Sequence, residues 1–365
     1  MVNKQEAMPD QPQNAKLLTK FGEMSDTVFQ YIQDCRNLEN QSSSSDYKIA
    51  AKLHGVGPDG TIISISSPNI KLRVLKRALD ENGTIGGASD TIHAETAVIR
   101  SAPVTEGTDL FVSDPLCPNC MKNAIEAGVA RIFIDQRGFD KKWYQNRQDY
   151  FDHISLKFAE CAGVDVYNVD LENRDIKSLT SHKGKRKTAQ DDSSHIIYID
   201  RRADIVSFIE ESKKIYGDRA FALSTGRDSD GRQVLIRTAE AFTNGLSESD
   251  QDVIDKMKAY NHDQKYRIKN DPVTRLLMAS SKYGISLRGS DMYCSHLPSA
   301  RCQINTVGYG MDTIRIGQIQ ENTSTDDLDA AYALHRHGIL HFTFDDTDIE
   351  LGQFIDTDTP APEAK

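Results

Sequence analysis

At 365 residues, with 38% hydrophobic and 27% charged side chains, the chain has the length for two domains of ordinary size and the apolar content for real cores. No run approaches the roughly 18 apolar residues needed to span a bilayer, and the opening MVNKQEAMPDQPQNAK lacks the apolar core of a signal peptide, so a cytoplasmic protein is expected. A formal charge of −10 argues against a surface built mainly to grip phosphate backbones, which takes many Lys and Arg.

Residues 1–45 read as a partly helical N-terminal extension, in which Val28, Phe29 and Ile32 recur at helical spacing between Met24 and Cys35. From Tyr47 the pattern changes: KIAAKLHGV, PDG and TIISISS predict two strands joined by a tight turn at Pro58, Asp59 and Gly60. A helix is expected over residues 71–79, then a Gly-rich loop from Asn82 to Ser89 and a second helix from about Thr91. A strand at residues 109–112, a cysteine loop opening a helix over 120–127, and a strand at 130–134 follow. Helices alternating with strands predict an α/β fold. In DKKWYQNRQDYF, the residues Trp143, Tyr144 and Tyr150 read as the packed face of an amphipathic helix, with stacking on a base as the alternative.

Residues 173–195 are polar and highly charged and read as a linker between a first domain (46–172) and a second (196–355), with a disordered tail at 356–365. The linker holds the one dense basic patch, Lys183, Lys185, Arg186 and Lys187, read as solvated chain rather than a nucleic-acid contact. The second domain repeats the order of the first. A helix at 203–215, a strand at 220–223, an Asp230-Gly231 turn and a strand at 233–237 precede a helix at 271–281, a strand at 292–295, a helix after Cys302 and a strand at 313–316. TDLFVSDPLCPNC (108–120) lies over SDMYCSHLPSARC (290–302) without a gap, which predicts an internal duplication. In that overlay Ser299 stands opposite Cys117, Asp271 opposite His93, Val273 opposite Glu95, and Cys302 alone matches its counterpart, Cys120. One cysteine cannot hold a zinc ion, so the second copy has lost its centre.

His93-Ala94-Glu95, with Cys117 and Cys120 following, supplies the parts of a catalytic zinc site: three protein ligands and one open position. Cys117 and Cys120 stand at i and i+3 where a helix begins, so both sulfurs share a face and the helix dipole favours thiolate. Six cysteines in a chain of this length suit a metal site better than a disulfide framework. A water at the fourth position would have its pKa lowered by the zinc, and Glu95, two residues from His93, is placed to carry its proton without ligating the metal. A closed, purely structural zinc site is the alternative, but it would call for a fourth protein ligand and leave Glu95 without a task. His335 and His337 lie far from any cysteine pair and are read as surface or core residues.

The HAE segment and the C-x-x-C pair resemble the signature H-x-E…P-C-x-x-C of the cytidine and deoxycytidylate deaminase superfamily, over about residues 47–135. The resemblance implies two deaminase-like three-layer α/β/α domains in tandem, each a mixed sheet with helices on both faces, the second without zinc. It further implies Zn2+ on His93, Cys117 and Cys120, Glu95 as proton carrier, and attack of a zinc-activated water on the amino-bearing ring carbon with loss of ammonia. By the same resemblance Asn69, in SSPN, takes the place of an asparagine that touches the substrate sugar. The chain departs from the family where Leu116, rather than a proline, directly precedes the first cysteine, with Pro115 one position earlier. The expected substrate is a small cytosine nucleoside or nucleotide, and a homo-oligomer is compatible with that reading. A tRNA or single-stranded DNA deaminase and a zinc-stabilised scaffold without activity are the alternatives.

Overall fold

The computed structural model describes residues 21–44, 47–146, 148–180, 194–199, 205–260, 267–287 and 289–344. In the first half, helix α1 (Phe21–Leu38) is followed by an antiparallel hairpin of two seven-residue strands, β1 (Ala50–Val56) and β2 (Ile62–Pro68). The turn between them depends on Gly60, whose φ of +82° suits a residue without Cβ, and on Asp59, whose Oδ1 accepts from Thr61 N at 2.9 Å. Then come α2 (Ala94–Ser101), β3 (Asp109–Val112), α3 (Pro118–Glu126), β4 (Arg131–Asp135), α4 (Leu156–Ala162), β5 (Asp165–Asp170) and β6 (Asp175–Ser178). The sheet order is β6-β5-β4-β3-β1-β2, with β3, β4 and β5 parallel and the remaining pairs antiparallel.

The second half runs β7 (His195–Tyr198), α5 (Val206–Tyr216), β8 (Phe221–Arg227), β9 (Gln233–Ala239), α6 (Gln251–Tyr260), α7 (Pro272–Tyr283), β10 (Met292–His296), α8 (Ala300–Gly308), β11 (Thr313–Gln318), α9 (Thr325–Arg336) and β12 (His341–Phe344). Its sheet, β7-β9-β8-β10-β11-β12, repeats the antiparallel hairpin beside three parallel strands. Element lengths repeat too: β8 and β9 have seven residues each, like β1 and β2, and α8 has nine, like α3. Gly231, at φ +76°, occupies the turn that Gly60 occupies in the first half. The expected architecture, two α/β/α units in tandem with mixed sheets covered on both faces, is the one observed.

Alternation along the strands decides which helices cover which face. Ala50, Phe111, Phe133 and Val169 point outward and pack beneath Val28, Phe29 and Ile32 of α1, with Phe111, Phe133 and Tyr167 stacked at 4.9 and 5.0 Å. Burying apolar side chains of this size stabilises by roughly 1.5–3 kcal/mol each. The extension expected at 1–45 is therefore, from Phe21 on, the outer helical layer of the first domain. Helix α5 covers Phe221, Leu223, Leu235 and Tyr293 in the same way.

The inner faces share one core. Leu53, Ile99, Val112 and Met121 from the first half and Val273, Leu277, Ile304 and Ile316 from the second belong to a single buried cluster. Polar contacts lock the two halves. Glu126 accepts from Asn270 Nδ2 at 3.1 Å and from Asn244 N at 3.3 Å, with Arg275 Nε 3.5 Å away. Arg301 donates to Thr91 O at 2.9 Å and Ser89 Oγ at 3.0 Å, and Arg100 donates to the Gly308 carbonyl. The Gly-rich loop touches the start of α9: a Cβ on Gly86 would lie 1.9 Å from Asp326 O, and the residue's φ is +52°.

Several local expectations give way to tertiary pairing. Residues 71–79 form a 3₁₀ stretch, Arg73–Ala78, and Thr91–Ile92 pairs with Ile70–Lys71 as a short strand, so that α2 begins only at Ala94. The stretch 140–151 is broken into Lys142–Gln145, Gln148–Tyr150 and a π-helical turn, Phe151–Ser155. The 173–195 linker carries strand β6 at one end, paired to β5, and the start of β7 at the other; the linker's middle, with its basic patch, and the tail at 356–365 lie outside the described residues. Among the described residues no helix is long and apolar enough to cross a membrane. Expressed alone, residues 1–180 would present the apolar faces of α2 and α3 and the Glu126 carboxylate to water, so that fragment should self-associate or precipitate. Light scattering that finds a soluble monomer would show that these helices do not need the second half.

Candidate active site

His93 ends the segment leading into α2, and Cys117 ends the one leading into α3; both are extended, with the helix starting at the next residue. The local folding has identifiable causes. Asn69 Oδ1 accepts from Ala94 N at 2.8 Å, satisfying a donor of the first turn that no helical carbonyl can reach, while Asn69 Nδ2 donates to Tyr47 O at 2.9 Å. This fixes where α2 begins. At α3, Pro118 takes the first helical position, where a missing N–H is harmless, and Cys120 N lies 3.5 Å from Cys117 Sγ.

The outcome is one compact donor set. His93 Nδ1 is 3.2 Å from Cys120 Sγ and 3.8 Å from Cys117 Sγ, and the three ligand atoms lie within 4.8 Å of one another. Among the described residues it is the one group of three His, Cys, Asp or Glu side chains close enough to share a metal. Two soft sulfurs and an imidazole suit a tetrahedral zinc, with one position left over. All six cysteines are unbridged, Cys117 and Cys120 included. Hydrogen bonding from Cys120, reinforced by His93, pulls the Cys117 thiol well below its ordinary range despite burial, while the same pairing pushes Cys120 up. A cation held between the two sulfurs would favour the loss of both protons.

Glu95 is 3% exposed, and its Oε2 has no hydrogen-bond partner. Burial raises its pKa, with His93 drawing it down and Cys117 adding to the rise. A cavity of about 710 Å3 opens on His93, Cys117 and Cys120 and continues across to the second half. That volume is within the roughly 300–1,000 Å3 usual for ligand sites. Glu95 and Asn69 are not part of its wall.

Opposite, on the second half, stand Asp271, Ser299 and Cys302. Asp271 caps α7, its Oδ1 accepting from Val273 N at 2.8 Å and its Oδ2 from Ser299 N at 3.3 Å. Cys302 Sγ is 2.9 Å from Thr274 Oγ1 and 3.0 Å from Ser299 Oγ. Burial pushes Cys302 up to about 12, so it stays a thiol. Lys122, on α3, is buried between the two centres, its Nζ donating to Arg267 O at 2.6 Å; burial draws it down to about 8 against the pull of Cys302, Cys117 and Asp271.

The anchor of the cysteine loop has no motif in the sequence. Asp114 is fully buried and accepts from Ser113 Oγ at 2.8 Å, Lys141 Nζ at 2.7 Å and Trp143 Nε1 at 3.3 Å. Burial pushes its carboxyl up to about 7, with Lys141 pulling the other way. Ser155 Oγ donates to Leu116 O at 3.0 Å, and a Cβ on Gly138 would come within 2.5 Å of Ser113 O. Trp143 therefore braces the loop, and Tyr144, with its hydroxyl on Asp152 at 3.1 Å, is buried. His335 packs against His341 and Phe342, and its Nδ1 accepts from Phe342 N at 3.2 Å.

No protein-family model matches the chain, and no curated protein matches its sequence. Among solved structures it is similar to the dCMP deaminase of the cyanophage S-TIM5. The complex of that enzyme with dCMP and dUMP matches at 18% identity and a TM-score of 0.29, covering 41% of this chain and 99% of that one. The apo form matches at 19% identity and a TM-score of 0.22, covering 33% and 90%.

Two outcomes follow from the geometry. Elemental analysis should find about one zinc per chain, lost on Cys117→Ser or Cys120→Ser; two zincs per chain would overturn the assignment of the second centre as metal-free. Asn69→Ala leaves Ala94 N unpaired and takes one donor from Tyr47 O, and should lower stability by about 1–2 kcal/mol in urea unfolding, as the loss of a helix cap does.

Proposed function

We propose that the chain is a zinc-dependent hydrolytic deaminase of a cytosine nucleoside or nucleotide, such as deoxycytidylate, releasing ammonia. The observation that carries this reading is the convergence of His93, Cys117 and Cys120 within 4.8 Å in company with Glu95, a buried carboxyl with one oxygen unpartnered. Zinc held there supplies Lewis acidity and lowers the pKa of a bound water. Everything else falls to side chains of this chain.

Glu95 takes a proton from the attacking water and passes it to the departing amino group, so that water and an amine become a carbonyl and ammonia. Burial suits it to that work. A carboxyl whose pKa is raised by burial holds a proton more readily than an exposed one and can pass it on. His93, Cys117 and Cys120 occupy the ligand positions at two helix N-termini, where the helix dipoles favour thiolate charge. Asn69 keeps those ligands in register through Ala94 and has a second N–H left for a sugar hydroxyl.

The test is Glu95→Gln, which keeps size and reach but cannot carry the proton. Zinc content should be unchanged while ammonia release from cytosine nucleosides and nucleotides falls by a factor on the order of a hundred or more. Both are measured on the same sample. Full activity with full zinc would reject the mechanism, and a wild-type protein that holds zinc but releases no ammonia would leave a structural site.

A further inference from the structure

The cavity that opens on the candidate centre is lined by charges of both signs, with Asp271, Asp326 and Asp327 of the second half on its wall. From the first half, Lys122 is its one cationic lining residue, and that side chain is 5% exposed with Nζ held by Arg267 O. The second half brings Arg267, Lys269 and Arg301 to the same cavity. Their states differ. Arg301 is engaged across the interface with Thr91 and Ser89. Arg267 donates Nη2 to Asp327 at 2.7 Å, yet its side chain remains 41% exposed. Lys269 is exposed, has no carboxylate partner among the described residues, and has its Nζ 5.4 Å from the centre of the Phe242 ring. Beside it in sequence, Asn270 is buried and lines the cavity; its Nδ2 is used by Glu126, while its Oδ1 has no partner.

We propose that the second domain recognises an anionic group of the ligand in this cavity, with Lys269 its principal contact and Arg267 the next, and that this group is a phosphate monoester. A phosphate monoester carries between one and two negative charges near neutral pH and offers three acceptor oxygens, enough for both cations. A domain without a metal centre thereby acts as the specificity wall of its neighbour's pocket. The inference rests on the deaminase reading for the rest of the ligand, but not for the anion contact.

The experiment compares 2′-deoxycytidine with its 5′-monophosphate on the full-length, zinc-loaded protein and its Lys269→Gln and Lys269→Arg variants. Turnover gives kcat/KM for each ligand, and calorimetry gives binding. Lys269→Gln should lower the preference for the monophosphate over the nucleoside by about tenfold or more, mostly through KM, and Lys269→Arg should restore most of it. Equal losses on both ligands, an unchanged preference, or turnover confined to oligonucleotides would overturn the proposal. If the wild type releases ammonia from neither ligand, the deaminase reading falls, and calorimetry alone decides: tenfold weaker monophosphate binding in Lys269→Gln upholds the anion contact, and equal binding rejects it.

Discussion

Helix α3 has to satisfy two demands at once, and the rest of the structure is arranged around that. Its first turn carries Cys117 and Cys120, so its position along the axis decides whether two sulfurs reach His93. Its last turn ends on Glu126, which the second half holds through Asn270 and Asn244. Between them, Met121 and Ala124 face the common core and Lys122 reaches across to Arg267 O. A helix this short has little cooperativity of its own and depends on tertiary packing. The docking of the second half is thus part of what holds the ligands of the first in place.

The cluster of Asp271, Ser299 and Cys302 shows how converging buried polar groups are satisfied by hydrogen bonds alone. A site built for an ion has polar groups converging in a buried space, and these are costly unless each finds a partner. In the second half the convergence is kept and closed by hydrogen bonds: Asp271 takes two backbone N–H groups, and Cys302 is flanked by two hydroxyls. The side chain opposite Glu95 is the apolar Val273, fully buried. With Asp271 opposite His93, Val273 opposite Glu95 and Ser299 opposite Cys117, the second half has a helix cap where the first has its donor set.

The His93, Cys117 and Cys120 cluster and the hairpins could be read from the sequence because their signals are local. An Asp-Gly turn fixes its own geometry, and a cysteine pair at i and i+3 shares a helix face wherever that helix lies. The repeated order of elements was legible for the same reason, as a register kept from strand to helix. What escaped was whatever depends on distant partners. The Asp114 anchor joins residues from three segments, none with a motif, and Trp143 reads as an ordinary amphipathic position until Asp114 is beside it. Edge strand β6, DIKS, is too polar to announce itself, and β7, HIIY, is a short apolar run directly after a charged stretch. The cavity belongs to neither half alone, so neither half's sequence describes it.

Carrying both units on one chain changes what the pocket can become. In a dimer of identical subunits related by a two-fold axis, any side chain placed on one wall appears on the other as well. A lysine facing one metal would face both, and a carboxyl tuned for proton transfer would have its copy across the cavity. With the copies covalently joined, the two walls are encoded by separate codons and can drift apart. One wall bears the His93, Cys117 and Cys120 donors, while the other sets Arg267, Lys269 and Arg301 beside Asp271, Asp326 and Asp327. The asymmetry of the cavity is therefore heritable, which a symmetric pair could not achieve by point substitution.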